Sequence, residues 1–249
     1  MKKIGLILVC LLIATSLFAT DNKFGIALGL NNSFVTGSDW KDFVDGVETG
    51  ANARPIWHGE TPGPGISTGT AFTLGVEVGL FFEIAINEMF SIQPEINIIQ
   101  TSIKMTAEAT GQGETSLTVR TTYFEIPLLA RINFDAGPGK MAILVGPSLF
   151  LNPMKSEREW NKDAAGGEDT TVEEGAALVA AVIGVGYALP AGNGTVLFDL
   201  RYRRMFSAMN WVEVDNMKGS NAPYMGTDGG KHNARPNIIS LRLGYGFSL

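Results

Sequence analysis

Along residues 238–249, IISLRLGYGFSL, the side chains of Leu241, Leu243, Tyr245, Phe247 and Leu249 alternate with Ser240, Arg242, Gly244, Gly246 and Ser248. A period of two belongs to a β-strand, whose successive side chains leave opposite faces. One face is bulky and apolar; the other carries a charge, small residues and glycines. Such a strand suits a transmembrane barrel, where large apolar groups meet lipid and small or polar ones meet a wet or tightly filled lumen.

The alternation recurs seven more times, over residues 23–34, 69–86, 90–105, 117–134, 141–151, 176–189 and 195–206. Phe24, Ile26, Leu28 and Leu30 oppose Gly25, Ala27 and Gly29, and Phe72, Leu74, Val76, Val78, Leu80 and Phe82 oppose Thr73, Gly75, Glu77 and Gly79. The predicted fold is therefore all-β: an eight-stranded antiparallel up-and-down transmembrane β-barrel. Residues 87–89, 135–140 and 190–194 form short links rich in Asn, Gly and Pro, whose backbone preferences suit reversal. Residues 35–68, 106–116, 152–175 and 207–236 are long and polar. Long and short connections alternate strictly, which gathers every long loop at one end. Outer-membrane barrels have this arrangement, with turns in the periplasm and loops outside. Pro94 and Pro127 fall inside strand patterns, where each removes a ladder donor and is expected to mark a bulge.

Residues 1–19 open with Lys2 and Lys3, run apolar from Ile4 to Ile13, and reach Ser16-Leu17-Phe18-Ala19 before the first acid. This is the order of a secretory signal peptide cleaved after Ala19, leaving residues 20–249 as one outer-membrane barrel domain. The only cysteine, Cys10, lies inside the apolar run. Val9 stands where a lipoprotein site wants a small residue, so lipidation is not expected. A mature chain without cysteine is exported yet has no disulfides. Thirty glycines and fourteen phenylalanines suit curved strands with bulky outward groups. The formal charge of −6 falls to −8 once the two lysines of the signal are lost. An acidic exterior speaks against nucleic acid as a partner and against docking onto anionic lipid.

Tyr123-Phe124-Glu125-Ile126-Pro127-Leu128 resembles a strand of the small outer-membrane barrels known as porin-family or PorT-like proteins. Residues 90–97 (FSIQPEIN), Val145-Gly146-Pro147-Ser148 and residues 198–202 (FDLRY) are similar to its other strands. The resemblance covers most of the chain from Lys23 onward, but not the long loops. It implies an eight-stranded barrel in the bacterial outer membrane, with no shared enzymatic activity or ligand. Arg242, Gly244, Phe247 and Leu249 also resemble the terminal signal read by the barrel-insertion machinery. The departure is Leu249, where Phe is commoner.

By parity, Glu77, Glu95, Glu125, Arg131, Asp199, Arg201, Arg203 and Arg242 fall on the lumen side. Eight strands leave an interior just wide enough for side chains to fill. Charges enclosed there must be paired, so a salt-bridged plug is the plain expectation, and a narrow ion path gated by the same pairs the sharper one. Gly184-x-Gly186 and Gly244-x-Gly246 are expected to make room for large neighbours. The two histidines, His58 and His232, lie in long loops. A shared metal or a pair with Asp228 is conceivable, but two imidazoles without ligand spacing read better as loop residues. Trp40, Trp57, Trp160 and Trp211 occur in the long loops and are candidates for an interfacial belt or loop anchors. The charged loop 152–175 shows no calcium spacing.

These readings predict a non-enzymatic outer-membrane protein without cofactor, metal or catalytic residues. Its expected partners are outer-membrane lipid, the insertion machinery during biogenesis, and an envelope or extracellular protein met through the loops. A narrow-pore porin for ions or small solutes is the alternative. A loop-borne enzyme and a soluble lipocalin-like barrel are competitors; the latter would carry its apolar residues inside.

Overall fold

The computed structural model describes residues 22–36, 66–71, 73–109, 113–160, 170–172, 177–206 and 235–249. The described residues form ten strands: β1 (Lys23–Thr36), β2 (Ile66–Ala71), β3 (Leu74–Ala85), β4 (Phe90–Ala109), β5 (Gly113–Ala136), β6 (Gly139–Trp160), β7 (Thr170–Val172), β8 (Leu178–Ala191), β9 (Gly194–Met205) and β10 (Arg235–Ser248). Eight of them close a ring in the order β1, β3, β4, β5, β6, β8, β9, β10, every pairing antiparallel. The closing seam, β1 to β10, runs without slippage from Lys23 opposite Ser248 to Thr36 opposite Arg235. Closure satisfies every strand edge inside a bilayer, where water cannot.

Binary patterning fixes which face looks out. Leu28, Leu74 and Leu241 are each about three-fifths exposed, and Glu77, Arg201 and Arg242 on the alternate positions are buried. The outward apolar run gives way to polar residues at Asn32 on β1, Gln100 on β4, Thr122 on β5, Arg204 on β9 and Asn237 on β10. The band below matches the roughly 9–11 residues that a tilted strand needs to cross hydrocarbon. At its other margin Phe24, Phe82, Phe90, Phe134, Phe198 and Phe247 supply aromatic groups, as interfacial girdles do.

The short connections define the turn end. Gly137 and Gly192 both have φ of 61°, a left-handed conformation that side chains with a Cβ resist. The Asn87 carboxamide accepts from the backbone N–H groups of Met89 and Phe90 at 2.9 and 2.8 Å. The Tyr187 and Tyr245 hydroxyls donate to the carbonyls of Ala136 and Ala191 at 3.0 and 2.9 Å, tying two turns to the wall.

Four expectations need correction. Residues 69–86 are not one strand: β2 pairs with the upper part of β4, and β3 pairs with both β1 and β4. Most of residues 106–116 belongs to a ladder rather than a loop, since β4 and β5 stay paired out to Ala109 opposite Gly113. Residues 152–160 likewise extend β6, which also pairs with β7. Polar side chains hid these segments because a ladder standing clear of lipid has no greasy face. Finally, Pro94 and Pro127 do not mark bulges. The β4–β5 register is the same on both sides of them, Pro94 facing Leu128 and Asn97 facing Glu125. The β5–β6 register shifts instead between Thr122 and Phe124.

Candidate functional site

Glu77, Glu95, Glu125, Arg131, Asp199, Arg201, Arg203 and Arg242 are all buried, none more than 5% exposed. Seven of them form one continuous chain of charges. Arg203 bridges Glu125 at 2.9 Å and Glu77 at 3.1 Å, and Arg242 bridges Glu77 at 2.9 Å and Glu95 at 2.8 Å. Arg201 completes the chain by joining Glu95 at 2.8 Å to Asp199 at 2.7 Å. Glu95 is the hub. Arg201 donates to both of its carboxylate oxygens, at 2.9 and 2.8 Å, in a two-pronged pair. In the ring order β9 lies four strands from β4 either way, so this bridge spans the full lumen.

Neutral polar groups complete the set. Asn97 donates to Glu95 at 3.1 Å and to Glu125 at 2.8 Å, Ser148 donates to Glu125 at 2.8 Å, and Gln93 donates to Glu95. Arg203 also donates to the Ser240 hydroxyl. Arg131, the eighth residue, joins indirectly: its guanidinium donates to the Gln93 side-chain carboxamide oxygen at 2.7 Å. Its Nε also lies 3.9 Å from Glu83, which in turn bridges Lys23 at 3.3 Å.

Glu83 and Lys23 are lumen charges that the reading of the sequence missed. The signal was present for Glu83, which continues the Glu77, Gly79, Phe81 face of β3. With them the described lumen charges are five carboxylates (Glu77, Glu83, Glu95, Glu125, Asp199) against five cations (Lys23, Arg131, Arg201, Arg203, Arg242). Balance matters because an unpaired charge in such an interior costs several kcal/mol or more.

Apolar layers flank the network, another feature that charge parity alone did not disclose. Toward the loop end lie Ile99, Tyr123, Phe150, Leu178, Met205 and Ile238. The Tyr123 and Phe150 rings meet edge to face with centroids 5.7 Å apart. Toward the turn end Phe81 packs with Ala27, Ala188 and Leu197. The lumen glycines give the space these groups take: a Cβ on Gly79 would strike the Asn97 carboxamide and come within 3.1 Å of Arg242.

On β10, Arg242 and Gly244 face the lumen, whereas Phe247 and Leu249 are exposed. The Leu249 N–H donates to the Asn22 carbonyl at 2.9 Å, fastening the last residue to the start of β1. Cys10, Trp40, Trp57, His58, Trp211, Asp228 and His232 lie outside the described residues, as does the segment read as a signal peptide. Trp160 ends β6 opposite Leu117. Among the described residues no cluster of His, Cys, Asp and Glu is arranged to hold a metal ion.

The family model described as "Outer membrane protein beta-barrel domain" matches residues 18–208, well over half of the chain. The chain belongs to this family. Its place is therefore the bacterial outer membrane, in agreement with the apolar band around the closed barrel. The chain is also similar to solved structures at low identity. Ail of Yersinia pestis, an attachment invasion locus protein crystallised with a heparin analogue, is 10% identical with a TM-score of 0.42, covering 91% of this chain and 99% of that one. Neisserial surface protein A is 12% identical with a TM-score of 0.39, covering 91% and 97%. OprG of Pseudomonas aeruginosa is 8% identical with a TM-score of 0.37, covering 92% and 97%. No curated protein matches the chain.

Proposed function

We propose that this is a non-enzymatic outer-membrane protein whose lumen is plugged by its own side chains and whose loop end works outside the cell. The observation that carries this reading is the two-pronged Arg201–Glu95 bridge between opposite walls, flanked along the lumen by apolar layers. An ion entering the lumen would have to displace such pairs, and breaking one buried pair costs about 3–5 kcal/mol. The lumen carboxylates are engaged by guanidinium or ammonium groups, which argues against their service as general acids or bases.

The loop end has its own support. Beyond Gln100 opposite Thr122, the β4–β5 ladder continues to Ala109 opposite Gly113. That is a further rise of about 30 Å along the strands at ~3.3 Å per residue. β2 and β6 extend this wall on either side. It is a platform that lifts the long connections clear of lipid, where an envelope or extracellular protein can reach them. In biogenesis, Arg242, Gly244, Phe247 and Leu249 would present the insertion signal on β10.

Planar-bilayer recording of the purified protein tests the plug. Silence is expected; discrete steps that disappear on charge reversal of Glu125 or Arg131 would favour a narrow pore for ions or small solutes. Proteolysis of intact cells tests the orientation, with cuts expected within residues 161–169 and 207–234 and none in the three turns.

A further inference from the structure

Pro94, Pro127 and Pro147 stand on three neighbouring strands, β4, β5 and β6. Proline has no N–H, so each leaves a ladder carbonyl without its donor. Between β3 and β4 the pairing lapses from Phe81 opposite Glu95 to Ile84 opposite Ile92, across Pro94. Between β4 and β5 it lapses from Pro94 opposite Leu128 to Asn97 opposite Glu125, across Pro127. Between β5 and β6 it lapses from Pro127 opposite Ser148 to Ala130 opposite Val145, across Pro147. In each gap the register resumes unchanged. Antiparallel alternation identifies the carbonyls left unmet as those of Phe82, Glu95 and Leu128. The other five pairings of the ring run without a break.

These gaps lie in the apolar band. Exposed Ile96, Ile126, Leu128 and Val145 surround them, and hydrocarbon offers no water to an unmet carbonyl. Yet the strands do not part, for a Cβ on Gly146 would strike the Leu128 carbonyl oxygen. Side chains in the lumen bridge every gap. At β3–β4 the Ser91 hydroxyl donates to Glu83 at 3.0 Å. At β4–β5 Asn97 donates to Glu125 at 2.8 Å on the loop side of the gap, and Arg131 to Gln93 at 2.7 Å on the turn side. At β5–β6 Ser148 donates to Glu125 at 2.8 Å. All seven residues are buried. The short runs Gln93-Pro94-Glu95, Glu125-Ile126-Pro127 and Pro147-Ser148 thus share a physical logic. Proline removes a rung in the plane of the sheet, and a lumen-facing neighbour supplies another beneath it.

We infer that β3, β4, β5 and β6 form a yielding panel in the barrel wall, latched from inside by side-chain rungs centred on Glu125. Glu125 serves two of the three gaps, and Arg203 on β9 holds it from across the lumen at 2.9 Å. The charge network therefore has a second task besides filling the lumen: it keeps the wall continuous where the backbone cannot. Release of Glu125 loosens two adjoining seams at one level, while the unbroken ladders of the other five hold. The panel is the part of the wall that opens first.

Hydrogen-exchange mass spectrometry of the full chain in lipid vesicles tests the latch. Ser148→Ala removes the β5–β6 rung and almost no volume. Peptides covering residues 124–130 and 143–149 are expected to exchange about tenfold faster, as the loss of one hydrogen bond to a charged group allows. Peptides from the β1–β10 seam should be unchanged. Pro147→Ala gives the backbone its donor back, opposite the Leu128 carbonyl and at an exposed position. In P147A/S148A, exchange of the amides common to all variants should return to within about twofold of the wild type. No local change in S148A overturns the inference, and so does an equal rise in every strand. Failure of P147A to rescue S148A overturns it as well, because Ser148 then serves the charge of Glu125 and not the missing rung. If S148A lacks heat-modifiable migration, S91A and P94A/S91A read the β3–β4 gap in the same terms, on peptides covering residues 80–86 and 90–95.

Discussion

Replacing Glu95 by Gln removes one charge from the centre of the lumen and almost no volume. Arg201 loses its two-pronged acceptor and keeps only Asp199 at 2.7 Å; Arg242 loses a 2.8 Å bridge and keeps Glu77 at 2.9 Å. The five-against-five balance becomes an excess of one cation in a closed interior. Removing one member of a buried pair costs about 3–5 kcal/mol because the other charge stays buried. Arg201→Met should cost a similar amount, since Glu95 and Asp199 are then under-compensated. Removing both charges repairs the imbalance between them. The double variant should therefore be more stable than the two single losses add up to, by about 2 kcal/mol, within the usual range for residues in direct contact. Urea unfolding in lipid vesicles, followed by heat-modifiable migration on gels, measures all four corners of this cycle. If Glu95→Gln lies within about 1 kcal/mol of the wild type, a loss small against the 3–5 kcal/mol expected, and the cycle closes additively, water rather than protein compensates these charges. The plug reading then fails.

Three further substitutions test the wall. Leu28→Arg, on a residue 60% exposed between Val78 and Leu243 in the apolar band, should cost about 2–4 kcal/mol in the same assay, against ~0–1 kcal/mol for Asn32→Arg at the polar margin. Equal costs would mean that the band does not face hydrocarbon. Gly79→Ala should cost about 1–3 kcal/mol by driving the Asn97 carboxamide off Glu95 and Glu125; a neutral outcome would mean that the lumen has room to spare. Tyr245→Phe deletes the hydroxyl that caps the Ala191 carbonyl and should lower stability by about 1 kcal/mol, with migration of the folded form unchanged.

Period-two alternation carried most of the fold because lipid and lumen make opposite demands on neighbouring residues. Leu74 to Leu80 and Leu241 to Phe247 follow that rule, and it also drew out the eight lumen charges. It failed where one demand is missing. Residues 106–109 and 113–116 continue the ladder with no bulky apolar residue in the sequence to mark a greasy face, so the strand reads as loop. The break between β2 and β3 was hidden for the opposite reason: Phe72 and Leu74 keep the rhythm going while the pairing partner changes. Pro127 misled because a missing N–H was equated with an extra residue. The ladder loses donor capacity at that point yet keeps its count. The apolar lumen layers escaped notice since Ile99, Phe150, Leu144 and Val182 are of the same residue types as the lipid face, and only parity sorts them.

Small and large residues are not shared evenly around the lumen, and that asymmetry bears on what the interior can do. The β1, β3 and β10 positions facing inward include Gly25, Gly29, Gly75, Gly79, Gly244 and Gly246, whereas β5, β6 and β9 contribute Leu129, Leu144, Phe150, Arg201 and Arg203. The space on one side is filled from the other: a Cβ on Gly79 would collide with Asn97, and one on Gly29 would come within 2.9 Å of the Arg242 side chain. Arg201 and Arg203 cross from β9 to carboxylates on β3, β4 and β5, so the salt bridges act as struts between distant walls. A water-filled pore needs its charges arranged along one continuous path with free volume between them. Here struts occupy the space beside the small residues, and a single methyl group at Gly79 is predicted to disturb Asn97 and Arg242, both bonded to the hub. An interior so sensitive to volume fits the plug proposed above, in which the salt bridges act as a girder and the loop end is the surface offered to partners.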